Sequence, residues 1–384
     1  MAHILILGGG FGGIATARRL RELLPPTARI TLIDKHDYFI VGFRKTWALL
    51  GDPLENGKGD LHHLNQQGIE FIQGEVTALE PEKRAVTVNG SRLEGDALVI
   101  ALGAELAPDS VPGFAEYALN AYDPGAVSHA AEALENFRGG KILVGVFGGA
   151  AYKCPPAPYE IAILVKEKLE AKGVPVTVSV FTPLPSSLPV LGPAGCNLIE
   201  EQLYEKGIRF LAEHQAVRVE PGAVVLKTGE RLPFDLLLGV APHRAPKIVR
   251  EAGMVGESGW IEVTPTLETK IPDVYAIGDV TAVLMANGKP LPKAGVFAEA
   301  EGRVVAERIA AKLAGEEAQA VFEGRGGCFL EVGGGQAVMV QGHFLAEGTP
   351  EVSLTEASRA LFQEKVQFER TRLSEWFTSG TPLE

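Results

Sequence analysis

The sequence predicts an α/β fold: two Rossmann-like dinucleotide-binding domains and a small C-terminal α+β domain. Three observations predict it. A glycine-rich turn, Gly8-Gly9-Gly10-Phe11-Gly12-Gly13, lies directly between an apolar strand and a helix with one apolar face. A second unit of strand, loop, helix and strand opens at Lys141. Near residue 320 the character shifts to a glycine-rich hairpin and a final helix. At 384 residues the chain exceeds one ordinary core. The first domain is expected to take residues 1–112 and 245–318, the second 113–244, and the C-terminal domain 319–384.

The first strand spans residues 2–7. Ile14, Ala17, Leu20 and Leu24 then mark one helical face, and Pro25-Pro26 stops it because proline cannot continue the hydrogen-bond ladder. A second strand covers 29–34. From 69 to 101, short alternating runs (Phe71, Val76, Val86, Val88), broken by Pro81 and Asn89-Gly90, read as an antiparallel meander. The second unit has a strand at 142–147, a proline-rich loop, a helix at 159–172 stopped by Gly173, and a strand at 174–181. A helix at 194–206, a strand-rich stretch at 218–239 and a strand at 274–277 follow. A long helix at 294–314 closes on Gly315, and the last helix is expected at 356–377.

Composition narrows the function. Apolar residues at 46% and charged residues at 22% suit a globular protein rather than a disordered one. A net charge of −12 repels phosphate backbones, which argues against a nucleic-acid partner. No apolar run approaches the ~18 residues a spanning helix needs. The first strand begins at once and leaves no room for a signal peptide, so a cytoplasmic location is expected. Three cysteines, Cys154, Cys196 and Cys328, are too few for a disulfide scaffold. None pairs with a nearby histidine at zinc-ligand spacing, so no metal site is expected.

In Gly8-x-Gly10-x-x-Gly13 the glycines let the backbone turn tightly, approach a pyrophosphate and pack helix on strand. The helix N-terminus adds partial positive charge. Asp34 ends the second strand 21 residues after Gly13, where a carboxylate reaches the adenosine ribose hydroxyls. Two further strands end in glycine, at Gly103 and at Gly278-Asp279. Here the chain resembles the FAD/NAD(P)-dependent disulfide reductase superfamily. The resemblance implies FAD, with the Asp279 carboxylate on its ribityl chain. It also implies contacts from Phe11, Gly12, Lys35, Val76 and Ala101. Pro292-Lys293-Ala-Gly-Val then opens a helix whose dipole, with the Lys293 ammonium, suits the negative charge of a reduced flavin ring.

The second unit lacks the matching phosphate loop. After its strand the sequence reads Gly148-Gly-Ala-Ala-Tyr-Lys-Cys154-Pro-Pro-Ala-Pro-Tyr-Glu160. Prolines stand where a pyrophosphate needs free N–H groups, and the next strand ends in Thr182-Pro183 with no acid for a ribose. A standard nicotinamide site is therefore not expected. Cys154 lies just before a helix, a position that lowers a thiol pKa. Glu160 falls in that helix's first turn, as complement to the dipole or as a proton-transfer group.

The Lys-Cys-Pro-Pro-Ala-Pro-Tyr-Glu string resembles the family of sulfide:quinone oxidoreductases and flavocytochrome c sulfide dehydrogenase flavoproteins. The likeness continues through Asp34-Lys-His-Asp-Tyr-Phe39, Ala241-Pro-His-Arg-Ala-Pro246, Gly259-Trp-Ile, Leu267-Glu-Thr-Lys270 and the block after Asp279. It ends in Gly327-Cys328-Phe-Leu-Glu-Val-Gly. The resemblance implies a redox pair of Cys154 and Cys328 working against the flavin. Cys196, with Ile199 and Leu203 on one helix face, reads as core packing. No cysteine stands near Tyr122-Asp-Pro-Gly125, where many quinone-reducing members carry a third one. None stands in Phe39-Ile-Val-Gly-Phe-Arg, where covalent members tether FAD, so FAD is expected to be non-covalent.

Leu361, Phe362, Val366, Phe368, Leu373, Trp376 and Phe377 make an apolar stripe on the last helix. It reads as a cap on the core, or as a surface for quinone or peripheral membrane contact. The function expected is sulfide oxidation through Cys154 and Cys328, with electrons passing via FAD to quinone or to a separate cytochrome c. The chain itself has no C-x-x-C-H haem motif. Two alternatives share the architecture: an NADH:quinone oxidoreductase, and an electron-transfer subunit active only beside a partner.

Overall fold

The structure, a computed structural model, describes residues 2–149, 151–348 and 350–377. Two five-stranded parallel sheets form its frame. The first runs Val274–Ala276, Ala97–Ile100, His3–Leu7, Arg29–Asp34, Glu70–Gln73. The second runs Leu119–Asn120, Leu236–Val240, Gly140–Val146, Val176–Phe181, Arg209–Leu211. Their central strands are continuous apolar runs, as parallel strands covered on both faces must be. Ile4, Leu5, Ile6 and Leu7 are wholly buried.

Helix Phe11–Leu23 packs on helix Gly295–Ala314, and small residues permit the close approach. A Cβ on Gly302 would stand 2.5 Å from the Gly12 carbonyl oxygen, so only glycine fits that crossing. The predicted meander divides. Strands 70–73 and 97–100 join the first parallel sheet, and only Val76–Glu80, Ala85–Val88 and Ser91–Glu94 form an antiparallel ribbon. Alternation in single short strands does not distinguish these neighbours.

The C-terminal part is an antiparallel sheet of Arg325–Gly333, Gln336–His343 and Glu351–Leu354, backed by helix Arg359–Phe377. That helix departs from the expected apolar stripe. Trp376 and Phe377 are buried against Phe39, but Leu361, Phe362, Val366, Phe368 and Leu373 are half-buried. The other buried side chains are charged: Lys365 and Glu369. Each has found a partner inside, which offsets the desolvation a buried charge otherwise suffers. Arg44 Nε donates to Glu369 at 2.8 Å, and Lys365 binds Glu160 and Glu331.

Candidate active site

A cavity of about 750 Å³ opens at the carboxyl ends of the first sheet's strands, where parallel α/β sheets place their ligands. The glycine turn forms one wall. Gly8 has φ +109°, and a Cβ there would meet the Ala101 carbonyl oxygen at 2.3 Å. Gly13 does not line the cavity; its Cβ would strike the Gly8 oxygen at 1.8 Å, so its role is helix-on-strand packing. Gly10 faces open space, with nothing within 4 Å of a Cβ. Helix Phe11–Leu23 has no side-chain cap, which leaves its N–H groups free toward this space. Asp34 accepts the Gly9 N–H at 2.6 Å and the His36 N–H at 2.8 Å. Phe11, Gly12, Lys35, Val76, Ala101, Gly103, Gly278 and Asp279 all line the cavity. The bare backbone, free helix terminus and placed acid fit the phosphates and ribose of FAD.

Lys293 is buried and lines the same cavity, but its ammonium is already engaged. It donates to the carbonyls of Asp279 at 2.6 Å and Thr281 at 3.1 Å, and it stands 3.6 Å over the Trp260 ring. Burial pushes its pKa down to about 8. Lys293 therefore fixes the loop that presents Asp279. Behind that loop the buried Glu301 accepts the Gly278 N–H at 2.5 Å, and desolvation pushes its carboxyl up to about 8.

Cys154 and Cys328 meet on the cavity wall. Cys154 sits in the left-handed region at φ 47°, which costs a non-glycine residue about 1–2 kcal/mol and needs support. Its N–H donates to the Lys293 carbonyl at 2.9 Å, and its carbonyl accepts the Tyr122 hydroxyl at 3.0 Å and the Ala157 N–H at 3.0 Å. Cys328 comes from strand Arg325–Gly333, and both cysteines are free thiols. The two thiols face each other, which lowers the Cys154 pKa and, with burial, raises that of Cys328 well above its ordinary value. Lys365, Lys45 and the start of helix Ala157–Ala171 favour negative charge on Cys154, against burial and Glu160, which oppose it. Cys196 lies in the core, with its thiol toward Ser186 and the Leu188 carbonyl.

Glu160 falls in the first turn of helix Ala157–Ala171, where a carboxylate complements the helix dipole. It does not line the cavity; its carboxylate is buried behind the cysteines, 2.9 Å from the Lys365 ammonium. Burial raises its pKa, and Lys365 opposes that rise.

Several lining residues have no signal in the sequence. Lys45, on helix Arg44–Leu49, is half-buried with its pKa pushed down to about 8 by burial and then by Lys153. Lys153 lies inside the Cys154 motif, yet only the fold turns it into the cavity beside Tyr122 and Asp123. His243 does not line the cavity; it stands against the Tyr122 ring, donates through Nδ1 to the Ala241 carbonyl at 2.9 Å and leaves Nε2 unpartnered.

A phosphate-cradling turn, a ribose acid, a late Gly-Asp loop and two thiols on one wall define an FAD-dependent oxidoreductase of the two-dinucleotide-domain type. The chain belongs to the pyridine nucleotide-disulphide oxidoreductase family, whose model matches residues 2–302. It is 27% identical to the sulfide-quinone reductase of Aquifex aeolicus over 80% of this chain and 76% of that one. It is 24% identical to a type II NADH:quinone oxidoreductase of Staphylococcus saprophyticus over 82% of this chain and 83% of that one. The solved sulfide:quinone oxidoreductase of Aquifex aeolicus superposes with a TM-score of 0.89 and 23% identity, covering 99% of this chain and 93% of that one.

Proposed function

We propose that this flavoprotein oxidises sulfide and delivers the electrons to a quinone. The observation that carries the reading is the meeting of Cys154 and Cys328 on the wall of the flavin cavity. Hydrosulfide attacks the Cys154–Cys328 disulfide, forming one S–S bond while breaking another, and leaves a persulfide on one cysteine and a thiolate on its partner. A second hydrosulfide displaces the persulfide sulfur as disulfane and leaves both cysteines reduced. Bound FAD supplies the two-electron acceptor that restores the disulfide. Asp34, Asp279 and the Gly8–Gly13 turn hold that group, and Lys293 orients the Asp279 loop. Glu160 acts through Lys365 rather than on substrate. Val41, Phe43, Phe329 and Phe368 give the cavity an apolar side that suits a flat quinone ring better than a protein acceptor such as cytochrome c. Among the described residues no helix is long and apolar enough to cross a membrane, so quinone is met by peripheral contact. The three-part division at 112/113, 244/245 and 318/319 belongs to the same reading.

The NADH-oxidising alternative is opposed by Cys154, Pro155 and Pro156 in the second nucleotide loop. Anaerobic mixing decides between them. Sulfide is expected to bleach the flavin within the turnover time and NADH at most a hundredth as fast, at ordinary enzyme rates of about 1–10³ s⁻¹. Bleaching by NADH and not by sulfide would reject the proposal. FAD is also expected to leave the acid-denatured protein entirely, because no cysteine stands at 39–44; flavin remaining on the precipitate would show a tether.

A further inference from the structure

Lys365 is wholly buried on the last helix, and each of its hydrogen bonds goes to a carboxylate. Its ammonium lies 2.9 Å from both Glu160 oxygens and 2.8 Å from Glu331 Oε1. Glu160 stands six residues after Cys154, and Glu331 three after Cys328. The Glu331 N–H also donates to Glu160 Oε2 at 2.9 Å, and Trp47 Nε1 holds Glu331 Oε1 at 2.6 Å. The cysteine segments come from a loop-and-helix of one part of the chain and a strand of another. The cluster is the buried polar connection between them.

We propose that Lys365 is a positioning residue: by binding Glu160 and Glu331 together it locks the segments bearing Cys154 and Cys328 in register and favours the bond between their sulfurs. The proposal rests on the reading that these cysteines are the redox pair. A buried ammonium tolerates little movement, because any loosened partner leaves an uncompensated charge away from water. A disulfide tolerates little movement too, since its length and dihedral are narrowly set. Sliding one segment against the other therefore disturbs both at once. The neighbouring buried pair, Glu369 with Arg44, docks the same helix one turn later and bonds to neither Glu160 nor Glu331, meeting the latter's partner Trp47 by ring contact alone. It supplies the control.

The test equilibrates FAD-loaded protein in glutathione buffers, traps thiols by alkylation and weighs the Cys154 and Cys328 peptides. Oxidation forms one protein S–S bond as glutathione disulfide is split into two glutathione thiols. Lys365→Met is expected to shift the equilibrium toward the dithiol by about tenfold, equal to about 30 mV for this two-electron couple. Glu331→Gln keeps the shape and an acceptor, and is expected to shift it about threefold in the same direction. Glu369→Gln is expected to lower Tm while leaving the equilibrium within about twofold of wild type. Three outcomes overturn the proposal: no shift in Lys365→Met and Glu331→Gln, an equal shift in Glu369→Gln, or a wild-type protein that never forms the bond. A wild type that forms the bond but ignores sulfide would instead remove the sulfide reading and leave the lock standing.

Discussion

Cys154→Ser and Cys328→Ser are each expected to slow flavin reduction by sulfide at least about 10³-fold while retaining FAD. Each serine removes one sulfur of the bond that hydrosulfide must break, and an alkoxide replaces a thiolate neither as nucleophile nor as leaving group. The residues proposed to hold FAD, the Gly8–Gly12 turn, Asp34 and the Asp279 loop, line the cavity independently of either sulfur. Cys196→Ser is the internal control. Its thiol already sits against the Ser186 hydroxyl and the Leu188 carbonyl, polar partners that a serine hydroxyl keeps. Stopped-flow absorbance of the flavin under anaerobic sulfide reads all three. Full rates in either of the first two variants would exclude the cysteine pair from the chemistry.

Gly10→Val is expected to yield a folded, colourless protein whose affinity for FAD falls at least about 100-fold, a loss of roughly 3 kcal/mol. The protein itself has no objection to the side chain: Gly10 has φ −87°, and nothing lies within 4 Å of its Cβ position. The only body the isopropyl group meets is the ligand whose phosphates need the bare backbone at this helix N-terminus. Gly13 makes the contrast. A Cβ there would collide with the Gly8 oxygen at 1.8 Å, so Gly13→Val is expected to damage folding as well as binding. Flavin absorbance after purification, with circular dichroism for folding, separates the two. A yellow Gly10→Val protein would contradict the phosphate-loop assignment.

The last helix shows where reading along the chain stops. Its apolar positions suggested a stripe, but Lys365 and Glu369 are among its most buried residues, and no spacing rule marks a buried charge. A lysine on a helix reads as solvated until its partners are known, and those partners, Glu160 and Glu331, lie 205 and 34 residues away. The same holds for Lys45, which becomes a cavity residue only because helix Arg44–Leu49 lies against the cysteine loop. The split of the 69–101 meander is a smaller case, because strand alternation records burial on one face and carries no partner.

By itself the sequence determined what local geometry encodes. The strand, glycine turn and helix at 3–23 pack as closely as they do because no other residue permits the Gly8 and Gly13 approaches. The prolines after Cys154 likewise depart from the free N–H groups that a second such loop needs. The tertiary structure alone decided what depends on distant segments meeting. It set Cys154 beside Cys328 across 174 residues, Glu160 behind the cavity rather than in it, and a buried lysine between the two cysteine segments. The physical reason is that turns and helix starts are governed by each residue's own backbone, whereas thiol chemistry and buried charge are governed by neighbours that only packing supplies.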